Sequence, residues 1–247
     1  MSTPARVLGT LAFAGHTLEI SVPTLLETLT GRLTVDAVER RLAYWSKKLC
    51  DAADVQLTVE GRENLPARAF VCMSNHESHA DIPILYQALQ RPLRMIAKAE
   101  LFKIPVFGGA LRGARFVAVD RSGNREHARA AMHEAAEILA DGISIWIAPE
   151  GTRAEADRPV GEVRPFKSGG FRLALETGAP ILPVAILGSR HVLPKHGRLL
   201  QRGMPVTVRI GTPIDPVGHT LADLSDSVRV AIVRLLAQPL ASPVHSG

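Results

Sequence analysis

Beyond about residue 54, short apolar runs alternate with stretches whose apolar residues recur at helical spacing. The apolar runs predict strands at 54–60, 68–73, 93–98, 115–119, 143–148, 181–187 and 205–210. The remaining periodic stretches predict helices at 82–90, 105–112, 124–141, 168–177 and 220–238. Alternation of this kind is typical of helices packed on a sheet whose strands run mostly parallel. We therefore expect an α/β domain over residues 53–247, with a mixed, mainly parallel sheet flanked by helices.

Residues 1–52 follow a different pattern, and we interpret them as an N-terminal amphipathic helical segment. Val38, Leu42, Trp45 and Leu49 recur at helical spacing, and Asp36 with a glutamate three residues later resembles a capping box. Four basic residues accompany this stripe: Arg40, Arg41, Lys47 and Lys48. Two interpretations stay open, because the stripe can pack on the sheet domain or lie on a membrane surface, and both hold if different faces are used.

Composition narrows the class of protein. The chain has 247 residues, of which 46% are hydrophobic and 21% charged, a mixture typical of a globular domain. Lysine and arginine number 29 against 24 acidic residues, and this net charge of +5 suits a phosphate ligand or an acidic lipid surface. An aromatic content of 4% is low for a protein that stacks bases, so we expect no nucleic-acid partner. Every charge-free run is shorter than the roughly 20 apolar residues that span a membrane.

The most informative polar cluster follows the predicted strand at 68–73 and contains Asn75, His76, His79 and Asp81. Catalytic groups collect at such strand-to-helix edges of α/β sheets. On a regular helix His76 and Asp81 would be separated by about 140°, so they meet only if the chain between them turns. A histidine oriented by a carboxylate is a general base that can deprotonate an alcohol. Metal binding through the two histidines and Asp81 is the alternative, but their spacing departs from the zinc patterns, and we expect no metal.

A second polar turn follows the predicted strand at 143–148, and its residues are Glu150, Gly151, Thr152 and Arg153. Gly151 is free to adopt an unusual backbone angle, and Arg153 offers a planar fork suited to phosphate or carboxylate. Two other basic residues, Arg121 and Lys167, also lie near a strand end or a glycine turn. Together with Arg153 they predict an anion site beside His76.

These blocks, in this order, resemble those of the glycerolipid acyltransferases, and the closest type is the bacterial 1-acyl-sn-glycerol-3-phosphate acyltransferase. The resemblance rests on Asn75-His76-x4-Asp81, Asp120-Arg121, Pro149-Glu150-Gly151-Thr152-Arg153, Pro180-Ile-Leu-Pro183, Lys98 to Gly108 and Phe166-Lys167. It covers roughly residues 35–215. Ala118, Ala148 and Ala154 stand where the family usually has an aromatic residue, Phe and Ser. These departures leave the polar residues intact and bear on the choice of acceptor.

The resemblance implies a glycerolphosphate acyltransferase-like fold and transfer of a fatty acyl group to the hydroxyl of a lysophospholipid. The donor would be acyl-CoA or acyl carrier protein, with no other cofactor, and the expected acceptor is 1-acylglycerol-3-phosphate, which gives phosphatidic acid. His76, oriented by Asp81, would act as the base without a covalent acyl-enzyme. The other expected site residues are Arg153, Arg121, Lys98 and Lys167 for the acceptor phosphate, Glu150, Gly151 and Thr152 for the turn or a glycerol hydroxyl, and Asn75 for the loop or the oxyanion.

The same resemblance implies peripheral attachment to the cytoplasmic face of the membrane. Three alternatives to this function remain open. Within the family, the acceptor could instead be another lysolipid such as lyso-ornithine lipid. Outside that activity, the chain could be a metal-dependent hydrolase or a catalytically inactive lipid-binding module.

Overall fold

Helices and strands alternate along most of the chain in a computed structural model, which describes residues 3–120, 125–155, 157–159, 161–194 and 200–239. The helices are α1 (Thr3–Leu29), α2 (Val35–Ala52), α3 (Asp81–Leu89), α4 (Phe107–Gly113), α5 (Arg125–Ala140), α6 (Gly169–Thr177), α7 (Ser189–Val192) and α8 (Leu221–Ala237). The strands are β1 (Gln56–Glu60), β2 (Val71–Ser74), β3 (Leu93–Lys98), β4 (Val117–Val119), β5 (Ser144–Ile147), β6 (Ile181–Leu187) and β7 (Pro205–Ile210). Short 3₁₀ helices span Arg62–Asn64 and Ala99–Lys103.

The described strands form a seven-stranded sheet in the order β1-β7-β6-β2-β5-β3-β4. Neighbouring strands are parallel except β6 and β7, which are antiparallel, so the predicted mixed and mainly parallel sheet is confirmed. β2 lies near the centre, between β5 and β6. Because β2 to β6 run parallel, their carboxyl ends and the loops that follow them meet at one edge of the sheet, where ligands bind in folds of this type.

Two apolar cores lie on opposite faces of this sheet. Cys72 of β2 belongs to the core that also contains residues of α2 and α3, whereas Val71 and Met73 belong to the core covered by α5, α6 and α8. Successive side chains of a strand point to opposite faces, and this explains why all four residues of β2 are buried. A strand buried on both faces holds the loop after it in a fixed position.

The α2 helix packs its apolar stripe against the sheet domain and α1. Val38, Leu42 and Leu49 are buried, and half-buried Trp45 donates a hydrogen bond from Nε1 to Thr17 Oγ1 of α1 at 3.0 Å. The structure shows the packing expected in the first of the two interpretations of the stripe, and part of the Trp45 side chain is covered by this packing. The expected capping box is wrong, because the cap is Thr34, whose Oγ1 accepts a hydrogen bond from the amide of residue 37 at 3.2 Å.

The α1 helix buries two hydroxyl residues and exposes a row of large apolar ones. Ser21 and Thr24 are buried, and their hydroxyls donate to the backbone oxygens four residues earlier at 2.6 and 2.7 Å. Its large exposed hydrophobic residues are Leu11, Leu18, Val22, Leu26 and Leu29, with exposed fractions of 45 to 74%. α1 and α2 both lie in the N-terminal helical segment expected over residues 1–52, although the sequence pattern gave no bounds for α1. None of the helices in the described part of the chain has the length and apolar character needed to cross a membrane.

Candidate active site

His76 and Asp81 are joined by a hydrogen bond of 2.7 Å between Nδ1 and Oδ2. The chain between them turns back ahead of α3, so that the amides of Glu77 and Ser78 also donate to Asp81 Oδ2, at 2.8 and 3.0 Å. Asp81 is fully buried, whereas 16% of the His76 side chain is exposed. A carboxylate that accepts three hydrogen bonds is held rigidly, and it favours the tautomer in which His76 carries its proton on Nδ1. The other ring nitrogen, Nε2, is then free to accept a proton.

A second contact holds the His76 ring from the side. The indole of Trp146 meets it edge to face, with ring centroids 5.2 Å apart and an interplanar angle of 86°. Trp146 is itself fixed, because its Nε1 donates to Ser74 Oγ at 2.9 Å. The Ser74 hydroxyl in turn donates to the backbone oxygen of Asn75 at 2.8 Å. The β2 and β5 strand ends therefore fix the orientation of the imidazole together.

Asn75 joins the β2 loop to β6. Its Nδ2 donates to the backbone oxygen of Ile186, and its Oδ1 accepts from the amide of the same residue, both at 2.8 Å. This pair of bonds reproduces a backbone ladder one step beyond the end of β2. Asn75 is buried. Between the two roles left open from sequence, its contacts are those of a residue that holds the loop.

The turn after β5 depends on Gly151. Its φ of +72° lies in the left-handed region, and the amide of Gly151 closes the turn on the backbone oxygen of Ala148 at 2.9 Å. A Cβ at this position would lie 2.6 Å from Cε of Lys167, so the exposed Lys167 side chain passes directly over the glycine. Thr152, next in the turn, is half-buried. The absence of a side chain at residue 151 therefore allows Lys167 to approach the turn.

Arg153, at the end of that turn, is half-buried and lies close enough to Asp81 for their charges to interact. Burial lowers the pKa of its guanidinium, and the neighbouring carboxylates of Asp81 and Glu155 oppose that shift. An arginine stays protonated in proteins, so a positive charge is held beside the His76–Asp81 pair. The predicted juxtaposition of Arg153 with this pair is present in the structure.

Glu150 points away from this cation and into the loop behind it. Its side chain is only 2% exposed, forms an ion pair with Arg158 and accepts a hydrogen bond from the amide of Arg164 at 2.9 Å. Of the two roles expected for Glu150, these contacts are those of a residue that fixes the turn. The turn that carries Arg153 is thus anchored to the loop over residues 157–159 and 161–165.

Lys98 and Arg121 are two further basic residues expected at the acceptor phosphate. Lys98 is exposed at the carboxyl end of β3, on the same sheet edge, and its charge reaches His79. Arg121 lies outside the described residues, two positions after the end of β4. His79 is exposed, yet partial loss of hydration and the positive charge of Arg153 lower its pKa to about 4. His79 is therefore neutral at physiological pH.

Neither a thiol nucleophile nor a metal cluster accompanies the pair in the part of the chain that is described. Cys72 precedes His76 by four positions but is fully buried in β2, and burial raises the pKa of its thiol. The thiolate form that attacks a carbonyl is accordingly suppressed. Within the described ranges, no three histidine, cysteine or acidic side chains are grouped so that they could hold a metal ion.

Sequence reasoning did not find several residues that contact the site, among them Trp146, Glu77, Arg158 and Arg190. Glu77 lies inside the most informative polar cluster but has no recognisable chemistry without its partner. That partner, Arg190, lies 113 positions away in the sequence. The available signal for Arg158 and Arg190 was the concentration of charge in the segments at 154–165 and 189–204. The hydrophobic pattern identifies these segments as loops and does not say what their charged residues contact.

Fold and site together define an α/β protein with a hydrogen-bonded histidine–aspartate pair at the carboxyl edge of its sheet. A family model described as Acyltransferase matches residues 56–187, which include both polar turns. The 1-acyl-sn-glycerol-3-phosphate acyltransferase of Pseudomonas aeruginosa is 32% identical over 97% of this chain and 90% of its own length. The chain belongs to the Acyltransferase family.

Two further comparisons extend this result. A 1-acyl-sn-glycerol-3-phosphate acyltransferase of Chlamydomonas reinhardtii is 30% identical over 75% of the chain, which spans only about half, 54%, of that relative's length. The crystal structure of the 1-acyl-sn-glycerophosphate (LPA) acyltransferase PlsC from Thermotoga maritima matches with a TM-score of 0.78 and 29% identity. It covers 98% of this chain and 100% of its own. The similarity therefore extends across the whole fold, including the N-terminal helices.

Proposed function

We propose that this protein is an O-acyltransferase that converts 1-acylglycerol-3-phosphate into phosphatidic acid. The observation that carries the proposal is the hydrogen-bonded His76–Asp81 pair with the cation Arg153 beside it. The names of the relatives from Pseudomonas aeruginosa and Thermotoga maritima support this acceptor. A general base next to a cation is suited to an acceptor that carries both a hydroxyl and a phosphate.

In the proposed reaction, Nε2 of His76 takes the proton of the acceptor hydroxyl while its oxygen attacks the thioester carbonyl. The new carbon–oxygen bond forms a tetrahedral intermediate, and its collapse breaks the carbon–sulfur bond. The proton on His76 then passes to the leaving thiolate, which departs as a thiol. Asp81 stabilises the imidazolium that exists between the two proton transfers. General-base action of this kind contributes about 10²–10⁴-fold, equivalent to about 3–5 kcal/mol.

Binding of the acceptor phosphate supplies the positioning that the base alone does not. Arg153 presents two parallel donors that match two phosphate oxygens. Lys167, Lys98 and Arg121 would add positive charge around it, while the Gly151–Thr152 turn sets the direction of Arg153. Holding the acceptor by its phosphate brings the hydroxyl within reach of His76, and such orientation makes a large contribution to catalysis.

The acyl donor is a thioester, either acyl-CoA or acyl carrier protein, and no other cofactor is required. Direct attack by the acceptor needs no acyl-enzyme, in keeping with the burial of Cys72.

The protein is further proposed to bind peripherally to the cytoplasmic face of the membrane, where a lysophospholipid resides. The support is the outward apolar row of α1, since apolar side chains exposed in a continuous row mark a surface that meets lipid or another protein. In this proposal the lipid contact is the exposed row of α1, and not Trp45 of α2.

One experiment tests the proposal. The purified protein is incubated with labelled acyl-CoA and a panel of lysolipids that includes lysophosphatidate and lyso-ornithine lipid, and the products are identified by mass. The expected product is phosphatidic acid, absent with His76→Ala. Acylation of lyso-ornithine lipid alone would contradict the proposed acceptor, and release of free fatty acid without an acylated lipid would favour a hydrolase.

A further inference from the structure

An ion pair lies directly behind the reacting histidine. Glu77, the residue after His76, accepts a hydrogen bond from Nε of Arg190 at 2.9 Å and a second one from Nη2 of the same arginine. Only 8% of the Glu77 side chain and 15% of the Arg190 side chain are exposed. The hydrogen bonds that Arg190 donates to the Glu77 carboxylate raise the pKa of Arg190. The two side chains thus form a bidentate, largely buried pair, the strongest geometry for a salt bridge.

Arg190 also contacts the loop on the other side of the site. Its Nη1 donates to the backbone oxygen of Arg158 at 2.8 Å, and the Arg158 guanidinium pairs with buried Glu150. A connected series of contacts therefore runs from the residue after His76 to the residue before Gly151.

The α7 helix, which carries Arg190, is fastened to the same loops. Ser78 donates from its hydroxyl to the backbone oxygen of Leu193 at 2.8 Å, and the amide of Ala154 donates to the backbone oxygen of His76 at 2.7 Å. The loop with the base and the loop with Arg153 are thus joined both directly and through α7.

The relative position of these loops matters for the chemistry. The proposed reaction needs the acceptor hydroxyl at His76 while its phosphate rests on Arg153, so the distance between the two loops fixes the distance between base and hydroxyl. A displacement of about 1 Å can cost roughly 100-fold in rate. Breaking a buried bidentate pair leaves an uncompensated charge, and the loops then move to hydrate it.

We propose that Arg190 is a positioning residue, which, through its pair with Glu77 and its bond to Arg158, holds the His76 loop in register with the Arg153 loop. The inference rests on the proposed function for its kinetic consequence. Arg190 itself is not required to touch the substrate. Because the planar fork is needed for both carboxylate oxygens, lysine at this position would not restore the geometry.

The test compares Arg190→Gln with a matched control, Arg209→Gln. Arg209 is 1% exposed and pairs with Glu60 at 2.8 Å between β7 and β1, away from the proposed site. Both variants are expected to lower the melting temperature. Only Arg190→Gln should also lower kcat, by roughly 10- to 100-fold at a temperature where both remain folded, and raise the acceptor KM. A wild-type kcat and KM in Arg190→Gln would overturn the proposal.

A second readout does not depend on the proposed activity. Diethyl pyrocarbonate modifies neutral imidazoles, and the rate at His76 can be followed by peptide mass relative to His133, whose side chain is 78% exposed. We expect faster modification of His76 in Arg190→Gln and Glu77→Gln, and an unchanged rate in Arg209→Gln. If Arg190→Gln does not fold, Glu77→Gln replaces it in this measurement, since it breaks the same ion pair. Equal His76 rates in all of these proteins would contradict the positioning role, whereas a wild type that acylates no lysolipid would contradict only the proposed function.

Discussion

The imidazole of His76 stands nearly perpendicular to the indole of Trp146, at 86°, while its Nδ1 is bonded to Asp81 at 2.7 Å. One contact prevents the ring from tilting and the other prevents it from flipping. Asp81 is in turn held by two backbone amides of the intervening loop. The remaining ring nitrogen is therefore directed before any substrate binds, which is the condition for efficient proton transfer.

Substitution of the pair should abolish most of the turnover. We expect His76→Ala to lower kcat by about 10²–10⁴-fold, because the general base is lost. Asp81→Asn should lose nearly as much, and the double variant should be no worse than His76→Ala, since the two residues act as a unit. Steady-state kinetics with His133→Ala as control checks this. Retention of more than about a tenth of the rate in His76→Ala would refute the assignment.

Arg153 should act mainly on the acceptor. Arg153→Lys keeps the charge but loses the bidentate fork, so we expect the acceptor KM to rise more than the donor KM. Arg229, exposed on α8, provides a control, and Arg229→Lys should change neither constant. Equal increases of both KM values in Arg153→Lys would indicate that the residue only supports the turn.

Gly151 allows a comparison with a second glycine of similar conformation. Gly142 has a φ of +82° with nothing near the position of a Cβ, whereas a Cβ at Gly151 would meet Lys167. Both Gly142→Ala and Gly151→Ala should lose about 1–2 kcal/mol of stability from the left-handed backbone. Only Gly151→Ala should also raise the acceptor KM. If both variants showed wild-type kinetics, the approach of Lys167 to the turn would have no part in acceptor binding.

The exposed row of α1 should govern binding to lipid vesicles. We expect the double variant Leu18→Gln, Leu26→Gln to bind vesicles more weakly, since it removes apolar burial at the interface. The control is Val217→Gln, Val230→Gln, at residues that are also exposed, by 76 and 47%. Turnover of dispersed short-chain substrates should be retained in both. Binding to anionic vesicles should fall with salt more steeply than binding to neutral ones. Undiminished vesicle binding by the α1 variant would place the lipid contact elsewhere.

His79 should make the protein less stable as the pH falls. Its folded-state pKa of about 4 lies below its ordinary value of 6.5, so the unfolded chain binds the proton more readily between these values. Stability therefore declines as the pH is lowered through 6.5 toward 4. The drop in melting temperature between pH 7.5 and pH 5, measured by calorimetry, should be smaller in His79→Gln than in the wild type. His133→Gln, at an exposed site, should not reduce it, and an identical drop in all three proteins would contradict the shift.

All seven predicted strands and all five helices predicted beyond residue 54 correspond to observed elements, because their patterns are local. The strand at 68–73, for example, precedes the Asn75–Asp81 cluster in both the prediction and the structure, with β2 at Val71–Ser74. The bounds of α1 escaped prediction because its buried hydroxyl groups are bonded to its own backbone, while several of its large apolar residues are exposed. Hydrophobicity alone does not distinguish an apolar side that meets a protein core from one that does not.

The sequence by itself determined the order of the elements, the α/β class and the placement of polar clusters at strand ends, since these follow from the periods of strands and helices. Only the tertiary structure decided which of those side chains meet. Asn75 is bonded to Ile186, 111 positions away, and Glu77 to Arg190, 113 positions away. Neither partner can be deduced from spacing, because a hydrogen bond or ion pair depends on the distance and orientation of two groups in space. The packing of the strands brings those groups together.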